Sequence, residues 1–140
     1  MDARAEPNIH FGRKADIVSQ TLLADAAGDT GAHAIPLIDV NSLKEFIRLP
    51  GWRGRFFHSV HMTFAHYDFD EGASIHEHFH AEEEVYEVVE GKLEITVAGE
   101  TYLAEPGLVA IVPADVAHSV KALTSGRVII VGYPARPELG

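Results

Sequence analysis

From Arg55 to Tyr133 turn signals cut the chain roughly every 8 to 12 residues, and no other feature limits its folding as much. Between the cuts lie short runs rich in β-branched and aromatic residues, the side chains that suit a pleated, half-buried surface. Arg55 to Phe69 (RFFHSVHMTFAHYDF) contains no glycine or proline and reads as two strands or one long bent strand. Asp70-Glu71-Gly72 turns the chain, and Glu84 to Val89 forms another strand, closed by Gly91. Lys92 to Ala98 alternates as a half-buried strand does, and Gly99-Glu100 is a tight hairpin turn leading back through Thr101 to Ala104. Leu108 to Val112, His118 to Leu123 and Arg127 to Tyr133 complete the series, with turns at Pro106-Gly107 and Pro113 to Val116. The fold class is all-β, a sandwich or barrel.

The first 50 residues are patterned differently. Asp16 to Ala27 is the one stretch there that reads as a short helix or a loose strand, and Gly28, Asp29, Gly31 and Pro36 mark a loop. Leu37 to Val40 reads as an edge strand, and Asn41 or Ser42 caps a single turn running to Phe46. Residues 1–50 are therefore expected to form an N-terminal extension, and residues 51–140 the β-domain. A chain of 140 residues with 46% hydrophobic composition can bury one sizeable core.

The segment Gly72 to Gly91 (GASIHEHFHAEEEVYEVVEG) carries the chemistry. His78 and His80 are two apart, so on an extended strand both side chains leave one face about 6.6 Å apart. If this strand pairs antiparallel with the next, Glu84 comes to lie beside them. Imidazole nitrogen with carboxylate oxygen suits borderline and hard divalent ions, and the chain has no cysteine to hold softer ones. Tyr86 shares the strand parity of Glu84 and is expected to face inward, as core filler or as a proton donor near substrate. Val88 and Val120 share the inward parity too and make the floor apolar. Of His58, His61 and His66, one is expected in the pocket, and His66 is the candidate for a catalytic role. Glu82 and Glu83 read as a solvated turn, with Glu83 the fallback ligand. Arg55 and Arg127 are candidates for holding a substrate carboxylate.

With these residues the chain resembles the cupin superfamily, small β-barrels of jelly-roll type. The first motif of that family is glycine, five residues, His-x-His, three or four residues, glutamate, six residues, glycine. Gly72, His78, His80, Glu84 and Gly91 meet every spacing. Of the second motif the chain keeps Gly107, Pro113 and His118, while Asp115 stands where the family has glycine and Ala122 where it has asparagine. The resemblance implies a single-domain cupin-type barrel holding one divalent metal ion per chain on His78, His80, Glu84 and His118. The donor set does not distinguish manganese, iron, cobalt, nickel, copper or zinc. His76 also precedes His78 by two and is a competing ligand, although only the His78/His80 register meets the motif's later spacings. Trp52, the VVEGKLEITVAGE segment and Tyr133-Pro134-Ala135-Arg136 are similar to single-domain cupins that act on sugar acids, such as the uronate-linearising proteins of pectin breakdown. Those carry glutamine where Glu84 stands.

A six-coordinate ion on these four residues keeps two positions for water or substrate, whereas a tetrahedral zinc would be saturated. The sequence therefore predicts a metal-dependent enzyme acting on a small polar or anionic molecule, a sugar acid or other carboxylate. The alternatives are a metabolite-binding module without turnover and a barrel with a structural metal. A net charge of −10 argues against nucleic acid or an anionic membrane as partner. The charged opening MDARAEPNIHFGRK holds no apolar run, so the expected location is the cytoplasm. A homodimer is expected, with Leu37 to Val40 as the strand lent to a neighbour.

Overall fold

A computed structural model describes residues 36–139. The strands, in chain order, are β1 (Phe46–Leu49), β2 (Trp52–His58), β3 (Thr63–Phe69), β4 (Ser74–His78), β5 (Glu83–Glu90), β6 (Leu93–Val97), β7 (Glu100–Ala104), β8 (Val109–Val112), β9 (His118–Ala122) and β10 (Gly126–Tyr133). They build two antiparallel sheets, one in the order β1-β2-β3-β10-β5-β8 and the other in the order β4-β9-β6-β7. The two sheets enclose a jelly-roll barrel. No described helix is long and apolar enough to cross a membrane.

Alternation makes the interior. Trp52, Gly54, Phe56 and His58 of β2 are buried in turn, as are Leu93 and Ile95 of β6 and Val128, Ile130 and Gly132 of β10. Two inward series pass from polar to apolar: Glu84, Tyr86 and Val88 on β5, and His118, Val120 and Ala122 on β9. Val88 and Val120 are buried, as their parity requires. The apolar core thus fills one end of the barrel and the polar site the other.

The aromatic run from Arg55 is two strands. Ser59 N–H donates to the Met62 carbonyl at 2.9 Å, and Ser59 Oγ accepts from Met62 N at 3.1 Å, which closes the hairpin between β2 and β3. Two expectations for the start of the chain are corrected. Leu37 to Val40 is not a strand. Residues 40–42 form a single 3-10 turn because the Asp39 carboxylate accepts from Asn41 N at 3.0 Å and the Asp39 carbonyl accepts from Ser42 Oγ at 2.8 Å, so local capping wins over extension. The edge strand is β1 instead, paired with β2 and carrying Phe46 edge-on to Phe56 at 6.0 Å. The sheet therefore begins inside the segment expected to be an extension. The stretch Asp16 to Ala27 lies outside the described residues.

Candidate metal centre

His78 ends β4 and sits opposite His118, the first residue of β9. Between Ile75 and His78 the register shifts, three steps on β4 facing two on β9. This β-bulge turns both Ile75 and His78 inward, which strict alternation would forbid. His80 follows two residues beyond the strand. β4 and β5 do not pair: β4 hydrogen-bonds to β9, whereas β5 lies between β10 and β8 in the other sheet. Glu84 accordingly meets the histidines across the barrel interior and not alongside them. In a jelly roll the chain passes from one sheet to the other between these strands, so neighbours in sequence are not partners.

The four predicted ligands come together. One ligand atom from each of His78, His80, Glu84 and His118 lies within 4.8 Å of all the others. Each imidazole is oriented by its own backbone: Nδ1 of His78 donates to the His76 carbonyl at 2.8 Å, Nδ1 of His80 to the Glu82 carbonyl at 2.9 Å, and Nδ1 of His118 to the Val116 carbonyl at 2.8 Å. A carbonyl can only accept, so the proton is on Nδ1 and the lone pair is on Nε2. Glu84 Oε1 is 3.0 Å from His80 Nε2 and 3.3 Å from His118 Nε2, and it also accepts from the Tyr86 hydroxyl at 3.1 Å. Lone pairs thus face a carboxylate at both contacts, an arrangement that calls for a cation between them. His118 Nε2 is buried with no hydrogen-bond partner. This orphaned nitrogen, with two further Nε2 lone pairs and a carboxylate oxygen converging beside it, fits a divalent ion.

Burial raises the Glu84 carboxyl, but His118 and His80 outweigh it and hold the carboxyl below its usual range. Burial depresses His118, and the Glu84 carboxylate and the Val116 carbonyl reverse that, leaving it above the ordinary histidine value. The sign then follows for metal binding. The lone pair on Nε2 belongs to the neutral ring; a raised His118 keeps a second proton there to higher pH than an ordinary histidine, so a metal must displace more of that proton as the pH falls. Titration calorimetry in buffers of different ionisation enthalpy should show more proton release per metal at a mildly acidic pH than at a mildly basic one. Equal release at both would remove the proton from His118.

Tyr86 lies where predicted, buried on β5. Burial pushes its phenol well above the usual value and Glu84 adds to this, so the hydroxyl remains a donor that orients the carboxylate. His76 is exposed, with its ring 5.9 Å from that of His78 and outside the four-residue group. Three expectations are corrected by parity on β2, β3 and β10. His66 points to the outer face, its ring 5.7 Å from that of Phe57, while its neighbours Ala65 and Tyr67 face the interior. Arg127 is on the same outer face, in a two-pronged pair with Asp68 at 2.8 and 3.3 Å. Arg55 is there too, 3.3 Å from Glu45. His58 does face inward, but Thr63 and the Leu139 carbonyl occupy both its nitrogens. His61 is exposed in the hairpin turn. Glu83 is exposed, and Glu82 serves the site through its carbonyl to His80.

The group opens onto a cavity of about 320 Å³. Its wall includes Arg48, Tyr67, Arg136 and Leu139, none of which the sequence reading placed at the site. Arg136 lies in the tail singled out by similarity, and counting alternate residues back from Phe69 would have turned Tyr67 inward. Nothing marked Arg48, because its strand was read as part of an extension.

Residues 65–132, which include all four members of the group, match the family model described as Cupin domain. An uncharacterised protein of Streptomyces coelicolor is 37% identical over 81 residues, which cover 57% of this chain and 77% of that one. An RmlC-like cupin from Shewanella frigidimarina has a TM-score of 0.71 at 23% identity, over 76% of this chain and 96% of its own. KdgF from a Halomonas species gives the same score and identity over 76% of this chain and 99% of its own. Ectoine synthase from P. lautus has a TM-score of 0.63 at 19% identity, over 73% and 80%.

Proposed function

Since this chain belongs to the cupin superfamily, we propose that it is a metal-dependent enzyme acting inside its barrel on a small polar or anionic molecule, a sugar acid or another carboxylate. The observation that carries this reading is the placement of His78, His80 and Glu84, with the buried His118 beside them, on the wall of a cavity large enough for one small molecule. A purely structural ion needs no such chamber. When bound, a divalent ion supplies Lewis acidity toward a carbonyl, hydroxyl or carboxylate oxygen.

The chain's own residues do the rest. Backbone carbonyls fix the three rings, and Tyr86 fixes Glu84, so the donor set is organised before anything binds. Leu49, Phe56, Ile75 and Ile130 give the chamber apolar walls that exclude water and strengthen the electrostatics inside. Arg48 and Arg136 add positive charge to the same wall and suit an anionic substrate.

The test is a panel of uronates, keto acids and diols offered to the metal-loaded protein. At least one should be consumed, and the consumption should disappear with the metal. Tight binding of a panel member without turnover would make the protein a metabolite-holding module. We also propose that two copies pair, with Tyr102, Leu103, Leu108, Val109 and Ile111, exposed along the free edges of β7 and β8, as support. A monomeric mass by light scattering at micromolar concentration would remove that proposal.

A further inference from the structure

Away from the His/Glu group the cavity wall holds a second set of polar atoms, on β1 and β3. Tyr67 faces inward on β3, opposite Gly54 of β2. A Cβ at Gly54 would come within 2.6 Å of Tyr67 Cε1, so the glycine leaves the space that the ring fills. Trp52 and Phe56 pack edge-on against that ring, with centroids 5.9 Å and 5.6 Å away at 88° and 90°. The ring is held on three sides, and its hydroxyl is bonded to no described residue.

Arg48 reaches the same wall from β1, its guanidinium carbon 5.9 Å from the centre of the Phe56 ring. Arg136 is met by Glu82 at 3.5 Å and Glu138 at 3.3 Å. Arg48 meets no carboxylate among the described residues, so its charge is free for a ligand. Burial pushes the Tyr67 phenol up to about 12 and keeps it a donor, and the hydroxyl feels the charges of Arg48, Glu84 and Arg136. The arginine and the metal group therefore act on one chamber.

We propose that Arg48 and Tyr67 form a second recognition point for an anionic group of the ligand, so that the substrate class is a small molecule with an acidic group at each end. One end meets the metal group, and the other, a carboxylate or phosphate, takes two N–H bonds from the guanidinium fork and one O–H bond from Tyr67. This rests on the reading that the cavity holds a small anion on a metal ion, and it adds Arg48 and Tyr67 as the residues that set specificity.

The experiment titrates cobalt-loaded protein with dicarboxylates of three to six carbons, each paired with the monocarboxylate of equal length, following both the cobalt spectrum and the heat. At least one dicarboxylate should bind about tenfold or more tighter than its twin. In Arg48→Gln that ratio should fall close to one because the dicarboxylate loses far more affinity than the monocarboxylate does, and Tyr67→Phe should lose roughly three- to tenfold on the dicarboxylate. Arg48 is exposed on an edge strand, so the variant keeps its fold, and Arg48→Lys should retain part of the preference as a charge without the fork. If monocarboxylates and dicarboxylates bind the metal with the same ratio in wild type and Arg48→Gln, the proposal is overturned and the metal-site reading stands. If no acid perturbs the cobalt spectrum at millimolar concentration, both are overturned.

Discussion

His80→Ala is expected to strip the metal from the protein and leave the barrel standing. His80 supplies one of four donors, and Glu84 Oε1 lies 3.0 Å from its Nε2. Changing groups that merely orient a ligand already weakens a metal site by about 10- to 100-fold. Deleting a ligand should exceed that and take metal content after dialysis from near one per chain to a small fraction. The fold has little reason to follow. His80 stands beyond the end of β4 and outside every strand, and the core built on Leu93, Ile95, Val88 and Val128 is untouched. Elemental analysis should show the loss, and the metal-free variant should unfold within about 1 kcal/mol of the metal-free wild type. A variant that fails to fold, together with a wild type that unfolds on chelation, would make the ion a staple and end the enzyme reading.

The four residues that could hold the ion were legible because three of them fall close together at the spacing of one motif and His118 falls at its place in the second. How they meet was not legible. The bulge before His78 leaves no mark in SIHEH, since the extra residue is accommodated by the backbone of β4 against β9. Nor does any local pattern say that β5 joins β10 and β8 and not the strand before it, because sheet partners are chosen by the topology of the whole chain.

The misplacement of His66 has a different cause. Strand parity needs one polar face, and here the outer face of β2 and β3 mixes charged residues with aromatic ones, Phe57 being stacked on Phe64 at 4.7 Å. A run with aromatic residues on both faces gives no reference from which to count. β1 was missed because four residues, FIRL, carry too little alternation to outweigh Pro50 and Gly51 just after them. With β1 went Arg48, the residue that adds a second charge to the chamber. Sequence thus located the four residues that could hold a metal ion and missed those contributed to the cavity by the edge strand and the tail.

Gly91→Ala should be far more damaging than Gly72→Ala, although both glycines belong to the same motif and both have positive φ, +85° and +82°. An alanine in that region costs about 1 to 2 kcal/mol from its own backbone alone. For Gly72 that is the whole effect, since an added Cβ meets nothing within 4 Å. At Gly91 the Cβ would fall 2.3 Å from the Ser125 carbonyl oxygen and 2.8 Å from Thr124 Oγ1. Those atoms are not free to withdraw. Thr124 Oγ1 accepts from Lys92 N at 3.0 Å, and Leu123 N donates to the Lys92 carbonyl at 3.0 Å, so the turn after β5 and the turn before β10 are clasped backbone to backbone. Opening the clasp breaks those bonds beside a buried core, and the total should reach about 4 kcal/mol, a rare size for one methyl group. Denaturant midpoints of the two variants, measured without metal, should differ accordingly. Equal midpoints would mean that Gly91 is required by its dihedral angles alone and that the contact with Ser125 is soft. A large difference would assign the two glycines separate duties, Gly72 bending the chain into the metal strand and Gly91 letting two turns meet where no side chain fits.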